Sequence, residues 1–217
     1  MAKPISIAID GPAGAGKSTI ARRLAKELGF YNVDTGAIYR TVSPKDIDGI
    51  TRYIDELTIG IEYDDEGVQH MIMNGMDVTG DIRTPDLSQK ASLVSAHAIV
   101  RDLLLDMQRE MAEKHNVIMD GRDIGTVVLP KATVKIFLTA TPEVRAKRRT
   151  DELIAKGQKA DYNKILKDIQ QRDYQDTHRE IAPLKMARDS VKLDTSELDI
   201  DGVIAAMKEI IARKVTL

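Results

Sequence analysis

Gly11-Pro12-Ala13-Gly14-Ala15-Gly16-Lys17-Ser18-Thr19 follows the spacing G-x-x-x-x-G-K-[ST], in which residue type and position together make a phosphate cradle. Glycines at 11, 14 and 16 let the main chain wrap with its N–H groups turned inward, and a helix beginning near Lys17 adds the positive end of its dipole. Lys17 supplies a mobile ammonium to the outer phosphates of a nucleoside triphosphate, and the Ser18 hydroxyl is placed to ligate Mg²⁺. The context such a loop needs is present on both sides: Ile5, Ile7 and Ile9 alternate before it, and Ile20, Ala21, Leu24, Ala25 and Leu28 recur at helical spacing after it, with Gly29 as a stop.

A triphosphate site does not say what is done with the triphosphate. Regulatory GTPases read their base with Asn-Lys-x-Asp, and Asn163-Lys164 is followed by Ile165 and Leu166, which excludes that class. Arginines instead stand in small groups: Asp34-Thr35-Gly36-Ala37-Ile38-Tyr39-Arg40, Asp120-Gly121-Arg122-Asp123, and Arg172, Asp176 and Arg179 at i, i+4 and i+7 of one helix face. Taken alone, the last group reads as a solvated helix face and Asp-Gly as a turn with a surface ion pair; only the joint pattern says otherwise. It suits a second phosphorylated substrate, because moving phosphoryl from a triphosphate to a phosphate monoester brings two polyanions together, and fixed cations with Mg²⁺ must offset their repulsion. Arginine meets phosphate bidentately. The acceptor phosphate is ionised and is itself the nucleophile, so no catalytic histidine is required. Asp34 and Asp120, at expected strand ends, are candidates for holding metal-bound water.

Strands must carry these groups. Val117-Ile118-Met119, Val134–Thr139 and Val191-Lys192-Leu193 are further apolar runs between helical segments, which predicts an α/β layered fold with a parallel sheet flanked by helices. Thr84-Pro85 opens a helix to about Ala96, Ile99 to Ala112 is a second, and Thr141-Pro142 opens a strongly basic third; the last, about 200–211, carries Val203, Met207 and Ile210 as a core stripe. Ile59–Tyr63, Val68–Met73 and Met76–Val78 break the alternation, and Asn74-Gly75 between the last two predicts a small antiparallel insert. His70 within it has no partners at metal spacing and reads as a surface strand residue.

At 217 residues the chain is long enough for one well-cored domain. A net charge of −2 gives no global field for a nucleic-acid polymer, and the absence of cysteine excludes disulfides and thiolate metal sites. Neither a signal peptide nor a membrane anchor is apparent, so the expectation is a soluble cytoplasmic protein, and the balanced charge points to a monomer.

GPAGAGKST at 11–19, DTGAIYR at 34–40, IRTP at 82–85, DGRDIGTVVLP at 120–130, KIFLTA at 135–140 and RAKRR at 145–149 together resemble the bacterial cytidylate (CMP) kinases over nearly the whole chain. That resemblance implies a single P-loop NTPase-type kinase domain: a core at about 1–34, 80–148 and 185–217, a monophosphate-binding lobe with its β insert at about 35–79, and a helical lid at about 149–184. It implies ATP as phosphoryl donor with Mg²⁺, and CMP with dCMP as acceptors. It puts Thr35, Arg40 and Arg122 near the acceptor phosphate, and Ser92, Arg101, Asp123 and Arg179 around the cytosine. Arg172 and Asp176 fall near the ribose, and arginines of the basic helix, Arg148 among them, close to the triphosphate. The expected catalytic set is Lys17, Arg40, Arg122 and Arg148, with Ser18 on the metal and Asp34 or Asp120 acting through water. Cytosine offers an amine donor at N4 beside acceptors at N3 and O2, so one carboxylate and two arginines form a matching set. In one place the chain departs from the family: a helix that normally runs on after Arg40 meets Ser43-Pro44, which stops it, so either the lobe is shortened or the sequence omits a stretch of it there. Rival readings are a P-loop kinase acting on another acceptor, UMP or shikimate, and a nucleotide-binding regulatory module with no acceptor.

Overall fold

A computed structural model of the chain describes residues 3–42 and 54–215. Five parallel strands form the main sheet: β1 (Ser6–Asp10), β2 (Tyr31–Asp34), and, after an insert, β6 (Val117–Gly121), β7 (Val134–Thr139) and β8 (Val191–Asp194), in the order β2-β6-β1-β7-β8. Both faces are covered, and the sequence of β1 records this: Ile7 and Ile9 face one core with Ile118, Ile136 and Met207, while Ala8 faces the other with Val33, Val117 and Met119. Helices α1 (Lys17–Leu28) and α7 (Ile200–Ala212) close the first side. On the second lie α2 (Thr35–Val42), α3 (Pro85–Val94) and α4 (Ala98–Lys114). Helices α5 (Pro142–Ala155) and α6 (Tyr162–His178) pack on each other between β7 and β8.

The signals read from the sequence act where expected. Gly29 ends α1 in the left-handed conformation at φ 67°. Thr84 and Thr141 cap α3 and α5 by accepting from the amides of Leu87 and Val144. The insert is a three-stranded antiparallel sheet of β3 (Ile59–Tyr63), β4 (Gln69–Met73) and β5 (Met76–Asp77). Its second hairpin turns on Asn74 and Gly75 at φ 50° and 79°, the mirror-image turn that this dipeptide favours. The expected helix stop at Ser43-Pro44 lies outside the described residues. Arg179, expected on one helical face with Arg172 and Asp176, is the residue just past α6, in an extended conformation. No helix among the described residues is long and apolar enough to cross a membrane.

β1 and β6 are neighbours whose chains leave in opposite directions, one toward β2 and the other toward β7. The crevice that opens at the carboxyl ends of such strands is where ligands sit in open α/β sheets. Register brings Asp34 beside Asp120 and Asp10 beside Gly121 at that edge.

Candidate active site

Gly11, Gly14 and Gly16 adopt φ of 153°, 74° and 86°, so the loop after β1 uses conformations that side chains resist. A Cβ on Gly11 would stand 1.9 Å from the Leu138 carbonyl oxygen, which shows how tightly the loop is laid against β7. No side chain caps the start of α1 and no acidic residue lies in its first turn, leaving its amides and dipole to act on an anion. Lys17 is buried, with its ammonium donating to the Pro12 carbonyl at 2.7 Å across the loop. Burial, then Arg122, push that ammonium well below its usual pKa, with Asp120 and Asp176 opposing.

Ser18 Oγ donates to Asp120 Oδ2 at 2.7 Å, and the Asp120 carboxyl is pushed up to about 7 by burial and then by the neighbouring Asp34. Its other oxygen, Oδ1, is buried with no hydrogen-bond partner. An orphaned carboxylate oxygen, a serine hydroxyl and a second carboxylate beside it are the donors a Mg²⁺ ion takes when its remaining positions are water and phosphate. Among the described residues no cluster of three His, Cys, Asp or Glu side chains makes an all-protein metal cage. Ser18, Asp34 and Asp120 therefore fit an ion shared with a phosphorylated substrate.

Four cations face this corner. Arg122 and Arg172 both lower the Lys17 pKa, and burial followed by Arg122 and Arg40 pushes the Arg172 guanidinium down to about 10. Arg172 Nε and Arg40 Nε are buried without partners. Arg40 folds back over the start of α2 to reach Asp34 Oδ2 at 3.2 Å, a path open because Gly36 has no side chain: a Cβ there would meet Arg40 Nη1 at 3.0 Å and Asp34 Oδ1 at 3.1 Å. Thr35 Oγ1 donates to the Asp120 carbonyl at 2.7 Å, and Gly121 makes room for it, since a Cβ would lie 2.6 Å from that oxygen. Like charges gathered out of water with unmet donors define a site for a polyanion.

A second constellation lies next to it. Asp176, on α6, accepts from Ser92 Oγ on α3 and from Arg122 Nε, both at 2.8 Å. Burial raises its pKa, but Arg122 and Arg172 outweigh that and hold the carboxyl below its usual range. Arg101 Nη2 pairs closely with Asp123 Oδ2, and Arg179 Nη2 stands 3.6 Å from Asp123 Oδ1. Ser95, which ends α3, holds both arginines: its carbonyl accepts from Arg101 at 3.2 Å and its hydroxyl from Arg179 at 2.7 Å. Arg101 also lies over the Tyr39 ring. One carboxylate between two guanidinium groups, all three side chains almost fully buried, is the donor and acceptor set that reads a polar heterocycle edge.

Arg148 is not brought to this crevice. Its guanidinium is held by Thr195 and the Leu198 carbonyl beyond β8. The arginine of the basic helix that meets the phosphate loop is Arg145, donating to the Ala13 carbonyl at 2.8 Å, to Ala140 at 2.9 Å and through both Nη groups to Asp173. Position along the helix explains the difference: Arg145, in the first turn of α5, is buried against the loop, while Arg148 lies one turn further on, beside the chain after β8. Sequence reasoning also passed over Asp10, which accepts from the amides of Ile124 and Gly125 at 2.7 and 2.8 Å and so fixes the turn that bears Arg122 and Asp123. The Asp10 carboxyl is raised to about 6 by burial, against the lowering effect of those two hydrogen bonds. The five residues that follow Asp123 form a π-turn, Ile124–Val128, a rare conformation frequent at functional sites. An aspartate ending β1 immediately before the glycine loop was the available signal.

A parallel sheet of this order with an amide nest after its central strand is the architecture of the P-loop kinases. Solved structures share it at low identity: an uncharacterized protein from Eubacterium ventriosum (TM-score 0.57, 13% identical, 96% of this chain and 98% of that one) and a shikimate kinase from Bacteroides thetaiotaomicron (TM-score 0.53, 16% identical, 96% and 98%). The chain belongs to the cytidylate kinase family, whose model matches residues 7–213. Relatives named cytidylate kinase include those of Lactobacillus johnsonii, 49% identical over 97% of this chain and 95% of its own, and Carboxydothermus hydrogenoformans, 50% identical over 96% and 97%.

Proposed function

We propose that this chain transfers the γ-phosphoryl group of ATP directly to CMP and dCMP, giving the diphosphates. The observation that carries this reading is the convergence of Lys17, Arg40, Arg122 and Arg172, two of them with unmet buried donors, opposite the amide nest of residues 11–19. One polyanion does not require so many cations from four separate segments; a donor and an acceptor phosphate do. The nest and Lys17 hold the donor, while Arg40 and Arg122 neutralise and align the acceptor phosphate, which attacks in line without a general base; Arg172, on the ribose side, adds its charge to theirs. Ser18, with Asp34 or Asp120 through water, would hold Mg²⁺, which supplies charge neutralisation among the donor oxygens. Thr35 supports the acceptor end, and Ser92 and Asp176 stand where the nucleoside would lie. Asp123 accepts from the cytosine N4 amine, and Arg101 and Arg179 donate to its acceptors. Uracil reverses that pattern at N3 and position 4 and leaves Asp123 facing an oxygen.

The division into a core, a monophosphate-binding lobe at about 35–79 and a lid at about 149–184 belongs to the same reading. The lid helix α6 carries Arg172 and Asp176, and its closure would exclude water that otherwise hydrolyses ATP. A cytoplasmic monomer completes it. The test is ADP release, coupled to a reporter, with CMP, dCMP, UMP, AMP, GMP and shikimate in turn. Strong turnover with the cytidine nucleotides and little with the others is expected. Equal efficiency with CMP and UMP would sink the cytosine assignment, and turnover with shikimate alone would favour a hydroxyl acceptor.

A further inference from the structure

The three-stranded insert carries none of the side chains assigned so far, yet it grips the strand that does. β2 is an edge strand, paired with β6 on one side only. Its open edge is taken up by two side chains of the insert. Tyr63 OH donates to the Asn32 carbonyl at 2.8 Å, and the Gln69 amide lies against the peptide of Asp34, accepting from the Asp34 N–H at 2.7 Å and donating to the Asp34 carbonyl at 3.5 Å. Residues 32 and 34 point their peptide groups to the same edge, so the glutamine amide replaces one peptide unit of an absent neighbouring strand. Gln69 is 8% exposed, and its nitrogen is further occupied by the Met71 sulfur at 3.0 Å. Its neighbour His70 faces the other side of β4, where Asp77 and Asp64 hold the imidazole.

We infer that Gln69 is a positioning residue for the acceptor end of the site, acting through Asp34. Asp34 is the last residue of β2 and its carboxylate starts α2, accepting from the Ala37 amide at 2.9 Å and fixing Arg40 at 3.2 Å while raising the pKa of Asp120. Where the Asp34 peptide goes, the Arg40 guanidinium and the Thr35 hydroxyl follow. The β1 loop that grips the donor is held by other contacts, against Leu138 and Arg145. Losing Gln69 therefore loosens the acceptor more than the donor, whose metal position keeps Ser18 and the free Asp120 Oδ1. This inference rests on the kinase reading given above.

The experiment compares the wild type with Gln69→Met, which keeps the volume and removes both amide contacts, and with Tyr63→Phe, which removes the insert's other hydrogen bond to the same edge without touching Asp34. Wild-type turnover with CMP tests the underlying reading; its absence overturns that reading and this inference with it. Given turnover, Gln69→Met is expected to raise KM for CMP about tenfold, with KM for ATP within about twofold, since small displacements of positioning groups cost rate steeply. Tyr63→Phe is expected to lower Tm yet leave both KM values within about twofold, which separates anchoring of the insert from positioning of Asp34. In the double variant Gln69→Met/Asp34→Asn the loss is expected to fall well short of the product of the two single losses, because the Arg40 contact through which Gln69 acts is already gone. If Gln69→Met does not fold, Gln69→Asn, too short to reach the Asp34 peptide, carries the same expectations. An unchanged KM for CMP, equal shifts for both substrates, or losses that multiply in the double variant would overturn the assignment.

Discussion

Replacing Arg172 with methionine is expected to make the protein more stable and far less active. Burial, helped by Arg122 and Arg40, pushes the guanidinium down to about 10; at ~1.4 kcal/mol per pH unit this is a penalty of about 3 kcal/mol on its charged form. The residue keeps some exposure, and solvent screening reduces the figure to about 1–2 kcal/mol. Methionine fills a similar volume, carries no charge and leaves no orphaned Nε. For a chain of this size that gain corresponds to a rise in Tm of roughly 2–8 °C. Activity should move the other way, with kcat/KM for CMP falling about 100-fold or more, as when one electrostatic donor is removed from a transition-state site. Differential scanning fluorimetry and the coupled ADP assay on the same preparation measure both. Added inorganic phosphate should raise Tm for the wild type and less for the variant. A lower Tm together with retained turnover would refute the reasoning, since Arg172 would then be an ordinary surface residue of α6 tied into the fold.

Asp123→Ala should reduce the ratio of CMP to UMP efficiency by about 5–150-fold, the equivalent of ~1–3 kcal/mol of discrimination, while KM for ATP stays put. It should also lower Tm, because Arg101 and Arg179 lose the carboxylate they share and are left with the neutral groups of Ser95, Ala182 and Tyr39 close by; a CMP preference that survives would move the base-reading role elsewhere. His70 should titrate above the ordinary imidazole value, owing first to Asp77 and then to Asp64, with Glu62 opposite it on β3 adding no bond. Its raised pKa means the clasp stabilises the insert fully below about pH 6.5 and is lost as pH rises through the folded value. NMR titration of the imidazole in the wild type and in Asp77→Asn measures this, and an unshifted wild-type midpoint would dismiss the clasp.

What the sequence disclosed, it disclosed through short-range constraints. Gly11, Gly14 and Gly16 carry backbone angles that other residues resist, Asn74-Gly75 specifies its own turn, and Thr84 and Thr141 cap helices from within one turn. The groupings at 34–40 and 120–123 were legible because each lies at a strand end, where parallel register gathers them. The hidden parts depend on packing across the chain. Whether Arg145 or Arg148 meets the phosphate loop is decided by which turn of α5 lies against Ala13, and both residues look alike in a basic stretch. Asp10 caps amides more than a hundred residues away, and Ser92 meets Asp176 across 84 residues. Arg179 was placed on a helix because its spacing was helical, but the chain turns extended there so that its guanidinium reaches Ser95 and Ala182.

Ser95 sits at the elbow where α3 gives way to α4, its hydroxyl also donating to the Ser92 carbonyl. Through this one small residue an arginine from α4 and an arginine from beyond α6 are yoked together. Under the base-reading role proposed for them, any shift of Ser95 would move both guanidinium groups at once, and a nucleobase would be met by the pair or by neither. Discrimination built on such a yoke would act as a single latch, giving half-fitting bases little from either arginine alone.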